Sequence, residues 1–167
     1  MVRDNIDTDQ IISAQYLNLV PTIPEEYDKL GSYALCGLPR EPYPARFVPD
    51  QRTKTPYAIV IGGRNFGCGS SREQAVTCLK YKGVGAVVAG SFARIFYRNA
   101  INQGVAAIMC PEAVAAARPG DPVQVDLVNG LIHLPAGDFA FPAFPPNVRA
   151  ILEAGGLVAY TKKARSV

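Results

Sequence analysis

The hydrophobic positions of this chain fall into short apolar runs separated by stretches of helical spacing. Tyr57–Ala58–Ile59–Val60–Ile61 runs unbroken into Gly62 and reads as a buried strand. Over Ser71–Lys82, residues Ala75, Cys78 and Leu79 share one helical face. Gly85–Ala89 reads as a second strand. Phe92–Gln103 reads as a helix with Ile95, Phe96 and Ile101 as core candidates, and Val105–Cys110 as a third strand. Gly83 and Gly104 stop the two helices. Strands alternating with helices of this length predict parallel β-α-β units, hence an α/β fold.

The flanks are less regular. Asp4–Ile12 is acidic, then apolar; three aspartates in six positions lack the glycine and distal glutamate of a calcium loop and fit caps and turns better. Residues 20–56 carry seven prolines, predicting ordered loop with one helix at Pro24–Leu30, ended by Gly31. Beyond Pro111 the pattern predicts a short helix at Glu112–Ala117 and two strands within Val123–Leu134 around Asn129–Gly130. A Pro/Phe-rich loop follows over 135–147. A last helix at Pro146–Ala154 stops at Gly155–Gly156, and Val158–Tyr160 leads into a basic, solvated tail.

At 167 residues, 49% hydrophobic and 19% charged, the chain fits a single globular domain over 1–167. A net charge of +3 without a basic run argues against nucleic acid. No apolar run approaches the roughly 20 residues of a membrane span. The four cysteines, Cys36, Cys68, Cys78 and Cys110, form no C-x-x-C pair, and His133 is the only histidine, so a metal site in this chain is not expected. Reduced, mostly buried thiols fit a cytoplasmic compartment. A chain trimmed of a leader would look the same, so the plastid stroma stands beside it.

The segment Gly62–Gly63–Arg64–Asn65–Phe66–Gly67–Cys68–Gly69–Ser70–Ser71–Arg72–Glu73–Gln74 carries the chemistry. Its glycines admit positive φ and close approach to a ligand. The expected helix start after them leaves backbone N–H groups unpaired, and Ser70, Ser71 and Arg72 add three side chains that bind carboxylate or phosphate. The segment reads as a site for a small, multiply charged acid. On the residues alone, Ser70 or Ser71 reads first as a helix N-cap. Cys68 within the loop is assigned packing rather than nucleophilic work, since no histidine is near in sequence.

Three segments together go beyond pattern: Asp4–Asn5–Ile6–Asp7–Thr8–Asp9–Gln10–Ile11–Ile12, Asn65–Phe66–Gly67–Cys68–Gly69–Ser70–Ser71–Arg72–Glu73, and Ser91–Phe92–Ala93–Arg94–Ile95–Phe96–Tyr97–Arg98–Asn99. In this order and spacing the chain resembles the 3-isopropylmalate dehydratase small subunits of the aconitase superfamily. The resemblance implies a swivelling β/β/α domain and a large subunit bearing a [4Fe–4S] cluster, in a heterodimer or heterotetramer. It implies conversion of 2-isopropylmalate to 3-isopropylmalate by dehydration and rehydration, a step of leucine biosynthesis.

The resemblance also implies roles. Ser70 is the catalytic base, Gly69, Ser71 and Arg72 hold a substrate carboxylate, and Asp9 assists proton handling or forms a turn. Gln74 departs from the histidine of many relatives and reads as structural. Arg94 and Arg98 supply positive field or face a partner. Relatives that accept a third carboxylate tend to carry arginine where this chain has Asn18; Asn18 followed by Leu19 and Val20 favours an isopropyl substituent over citrate or homocitrate. The alternatives are a related hydro-lyase subunit (citraconate, dimethylmaleate or homoaconitate type), a non-enzymatic dicarboxylate-binding module, and a thiol enzyme using Cys68.

Overall fold

Three apolar runs of four residues pair as one parallel sheet in a computed structural model that describes residues 3–19, 23–39, 41, 46–49 and 55–165. Strands β1 (Ile59–Gly62), β2 (Ala86–Ala89) and β3 (Ala106–Met109) lie in that order, with Val60 opposite Val87 and Val87 opposite Ala107. All four positions of β2 are buried, as a central strand covered on both faces requires. The two-residue period of the strands divides their side chains between two cores. Val60, Val87 and Ala107 face one; Ile61, Val88 and Ile108 face the other.

The first core takes Ile6, Ile11 and Ile12 from the N-terminal segment, which includes the short helix α1 (Thr8–Ile11). It also takes Leu30 of α2 (Pro24–Ser32), Ala75, Val76, Cys78 and Leu79 of α3 (Gln74–Tyr81), and Phe96 and Ala100 of α4 (Arg94–Gln103). The second core receives Ala113 and Val114 of α5 (Pro111–Ala116), together with Ile132 and Leu134 from an antiparallel sheet. That sheet runs β4 (Gln124–Asp126), β5 (Leu131–Leu134), β6 (Gly137–Ala140). Helices α6 (Pro146–Glu153) and α7 (Leu157–Arg165) close the chain against α4. The architecture is α/β, as expected, and no helix among the described residues is long and apolar enough to cross a membrane.

Several expectations need correction. Helix α3 begins at Gln74 rather than Ser71. Gly31 does not end α2, which runs to Ser32. A Cβ at Gly31 would stand 2.7 Å from Lys82 Cε and Tyr81 Cδ1, so its glycine serves the close approach of α2 to the end of α3. There the buried Lys82 also meets Asp28 at 2.9 Å. Ile95 is 46% exposed, because the inward face of α4 is set by Phe96 and Ala100. The loop expected over 135–147 contains β6, whose pairing satisfies the free edge of β5. The expected tail is mostly helix α7; its last turn carries Lys162, Lys163 and Arg165, favourable against the helix dipole. Residues 20–22, 40, 42–45 and 50–54 of the proline-rich segment lie outside the described residues.

Gly104 ends α4 with φ +81°. A Cβ there would come 2.5 Å from the Gly155 carbonyl carbon, so the end of α4 packs backbone to backbone against the turn before α7. Gly83 also has positive φ (+100°), but nothing lies within 4 Å of its missing Cβ. Gly104→Ala is therefore expected to destabilise by about 2–4 kcal/mol, strain plus clash, and Gly83→Ala by only about 1 kcal/mol. Denaturant unfolding of the two variants measures the difference; equal losses would refute it.

Candidate functional site

The site is built where three separate segments of chain are stitched together. Strand β1 delivers Gly62 to a turn in which Gly63 donates to the Arg3 carbonyl at 2.9 Å. A Cβ on Gly63 would meet Asp4 Oδ1 at 2.3 Å, so only glycine admits the N-terminal segment this closely. The Asp4 carboxylate accepts Arg64 N–H at 2.7 Å and Arg64 Nε at 2.9 Å. Those backbone and side-chain bonds hold its carboxyl below the usual range. Asn5 and Asn65 both adopt left-handed φ (56° and 57°), and Asn65 Nδ2 donates to Asn5 Oδ1 at 2.9 Å.

The weave continues into the glycine loop. Gly67 N–H donates to Ile6 O at 2.7 Å and Thr8 N–H to Cys68 O at 2.8 Å, a parallel bridge between Asp7 and Cys68. On the other side Phe66 bridges to Phe92, and Ser91 Oγ accepts Asn65 N–H at 2.8 Å. Phe66 is fully buried, edge-on to the rings of Phe92 and Phe96 at 6.1 and 5.3 Å. A Cβ on Gly67 would strike Phe96 at 2.1 Å. All three sequence segments singled out above thus meet at one place.

Beyond this anchor the chain turns outward. Gly69 (φ +91°), Ser70 and Ser71 are exposed. Among the described residues their backbone N–H groups and the two hydroxyls have no protein hydrogen-bond partner. The residue capping α3 is Glu73, without a side-chain cap bond. Neither Ser70 nor Ser71 is therefore a helix N-cap, and the open alternative for them falls. Arg72 turns back: its N–H donates to Ser70 O at 2.8 Å, and its Nη1 pairs with Asp9 Oδ1 and approaches Ile12 O at 3.4 Å. The Arg72 side chain is 16% exposed and that of Asp9 56%. Asp9 sits in α1, whose N-cap Asp7 accepts Gln10 N–H at 2.7 Å while Gln10 Oε1 accepts Asp7 N–H at 3.1 Å. This capping box fixes the short helix and with it the backbone that carries Asp9.

Ser70, Ser71, Arg72, Gly69 and Asp9 are brought together. Asn18 and Leu19 are not joined to that group by any hydrogen bond among the described residues. They follow a 3-10 turn (Ala14–Tyr16) whose Tyr16 ring stacks on Tyr33 at 3.5 Å. Asn18 is exposed, Leu19 packs half-buried against the first core, and Val20 lies outside the described residues. Gln74 opens α3 without a side-chain hydrogen bond among the described residues, so nothing supports a structural bond for it. Arg94 and Arg98 are exposed on α4.

Cys68 is half-buried, and burial, followed by the negative field of Asp7, pushes its thiol above the ordinary range. That is the wrong direction for a nucleophile. His133 is on β5, its Nδ1 2.7 Å from Asp138. Cys36 is exposed while Cys78 and Cys110 are buried, and no group of three or more potential metal ligands occurs among the described residues. The sequence reading missed Ser91 and the Ile12 carbonyl, whose roles are set by partners remote in sequence.

A profile of the aconitase C-terminal domain family matches residues 2–113. The chain is 47% identical over 178 residues to "3-isopropylmalate dehydratase small subunit 1" of Arabidopsis thaliana, covering 98% of this chain and 67% of that protein. It is 45% identical over 161 residues to the 3-isopropylmalate dehydratase small subunit of Caldicellulosiruptor bescii, covering 95% and 89%. Its fold superposes on the crystal structure of 3-isopropylmalate dehydratase (leuD) of Methanocaldococcus jannaschii with a TM-score of 0.78 at 38% identity, covering 99% and 90%. Interlocked segments, an exposed serine pair and this extent of similarity lead to one conclusion: the chain belongs to the 3-isopropylmalate dehydratase small-subunit family, built on the aconitase C-terminal domain.

Proposed function

We propose that residues 1–167 act as one swivel domain, the small subunit of a hydro-lyase that converts 2-isopropylmalate to 3-isopropylmalate in leucine biosynthesis. The observation that carries this reading is the exposed serine pair, without a hydrogen-bond partner among the described residues, beside the Arg72–Asp9 ion pair. The names of the relatives supply the reaction. A large subunit completes the enzyme as a heterodimer or heterotetramer and carries the [4Fe–4S] cluster. This chain's own residues do not fit as cluster ligands: its cysteines are dispersed, two of them buried, and no ligand group forms among the described residues. When bound in the partner, the cluster supplies a Lewis acid for the substrate hydroxyl.

The work assigned to this chain is grip and proton transfer. Arg72 takes one substrate carboxylate through its guanidinium, and Ser71 with the free N–H groups of 69–71 completes the hold. Ser70 Oγ receives the C–H proton; loss of the neighbouring hydroxyl leaves the alkene. Return of proton and hydroxyl with their positions exchanged gives the isomer. Unpaired N–H groups next to Ser70 favour its anionic form. Asp9 holds Arg72 in direction and is assigned a share in proton handling. Asn18 and Leu19 are assigned to the isopropyl group, Asn18 itself offering no charge to a third carboxylate. Free thiols fit a reducing compartment, cytoplasm or plastid stroma.

Mixed with a cluster-bearing large subunit, the chain is expected to turn over 2-isopropylmalate in preference to citrate or homocitrate; alone it is expected to be inactive. Ser70→Ala should lower kcat about 10²–10⁴-fold without loss of assembly. Full activity in that variant would remove the base assignment. Arg72→Lys should raise KM about 10–100-fold, the equivalent of one charge-assisted hydrogen bond; an unchanged KM would place the carboxylate elsewhere. Because the Cys68 thiol is shifted upward, its thiolate is scarce at pH 7 and grows only as pH rises. Alkylation mapped residue by residue should label exposed Cys36 first and Cys68 slowly, the Cys68 rate increasing as pH is raised into the alkaline range. Rapid labelling of Cys68 at pH 7 with loss of turnover would revive the thiol mechanism.

A further inference from the structure

One buried hydroxyl beside the serine pair has no use in the scheme above. Thr8 is 2% exposed, and its Oγ1 is one of two buried side-chain polar atoms without a hydrogen-bond partner among the described residues. The other is Arg149 Nε on α6. The Thr8 backbone is pinned: its N–H donates to Cys68 O at 2.8 Å, and its carbonyl accepts Ile12 N–H at 2.9 Å. The side chain faces the segment that carries Ser70, since a Cβ on Gly69 would stand 3.3 Å from Thr8 Oγ1.

An acceptor without a donor therefore adjoins donors without an acceptor. The N–H groups of Gly69, Ser70 and Ser71 have no protein partner among the described residues, and the missing Gly69 side chain leaves room between them and Thr8. A buried hydroxyl left unmade is unfavourable, and valine would fill the same space without that penalty. Gly69, at φ +91°, is free to rotate as a residue with a side chain would not be.

We propose that Thr8 is a positioning residue for the base. In the substrate-loaded pair the 69–71 segment settles onto α1, Thr8 Oγ1 accepts a loop N–H, and Ser70 Oγ is thereby fixed in direction. The proposal rests on the functional reading above, in which Ser70 is the base. Its mark is that the hydroxyl contributes to turnover and not to the stability of the free chain.

The test compares Thr8→Val and Thr8→Ser in the reconstituted two-subunit enzyme with 2-isopropylmalate, alongside thermal unfolding of the isolated chain. Thr8→Val is expected to lower kcat about 10–100-fold with KM within about twofold, and to leave the melting temperature unchanged or raised. Thr8→Ser should keep kcat within about threefold of wild type, since the hydroxyl is retained. Gly69→Ala, whose Cβ occupies the gap, should reproduce the kcat loss. An unimpaired Thr8→Val, a Thr8→Ser as slow as Thr8→Val, or a lowered melting temperature in Thr8→Val overturns the proposal. A wild-type pair with no isopropylmalate turnover sinks the functional reading and this one with it; an active wild type with an unimpaired Thr8→Val sinks this one alone.

Discussion

The site depends on two backbone hydrogen bonds between segments far apart in sequence, Gly67 N–H to Ile6 O and Thr8 N–H to Cys68 O. They set the first turn of α1 alongside the glycine loop, and every side-chain relation at the site follows from that register. Closing so long a loop of chain has an entropic cost that two hydrogen bonds alone do not offset. The offset comes from the residues flanking them: Ile6, Ile11, Ile12 and Phe66 are fully buried in the first core with Phe96. Assembly of the site and formation of that core are thus one event. A fault in the packing of Phe66 against Phe92 and Phe96 would be felt as misplacement of Arg72, several residues away.

Arg72 shows how the fold handles the charge it needs. An arginine side chain only 16% exposed is unfavourable without a counter-charge, and Asp9 supplies one while its own side chain is 56% exposed. The asymmetry matters. The buried partner is the one fixed in place, and the exposed partner is the one that can yield when another carboxylate arrives. The capping box of α1 keeps Asp9 from drifting without locking its oxygens inside the protein. In the function proposed above, the ion pair preorganises the cation for an acid ligand rather than consuming it.

The sheet and its helices were legible because their signal is local. Ile59–Gly62, Ala86–Ala89 and Ala106–Met109 announce themselves by unbroken runs without a polar side chain, and Gly104 by its position after a periodic run. What escaped was decided by partners. β6, with Gly137, Asp138 and one inward aromatic, has little strand character of its own and exists because β5 offers an edge. Gly31 looked like a stop and is a contact point, a distinction that requires knowing where Lys82 lies. The candidate residues Ser70, Ser71, Arg72 and Asp9 were picked out as a set through motif and resemblance. Their pairing was not: nothing in the order of residues says that Asp9 meets Arg72, or that Ser91 holds Asn65.

The late start of α3 changes the source of the positive field. Had the helix begun at Ser71, its first N–H groups and its dipole would have stood beside Ser70. With Glu73 at the cap, the nearest unpaired donors are instead the N–H groups of the loop itself. Loop donors on an exposed segment point into water, and in water they do little for an alkoxide, since solvent competes and the dielectric is high. The same donors become effective once water is excluded. Ser70 and Ser71 are exposed here, and among the described residues no hydrogen bond ties their hydroxyls back to the protein. The chemistry assigned to Ser70 thus demands a second surface over residues 69–71, which is what a catalytic site divided between two polypeptides provides.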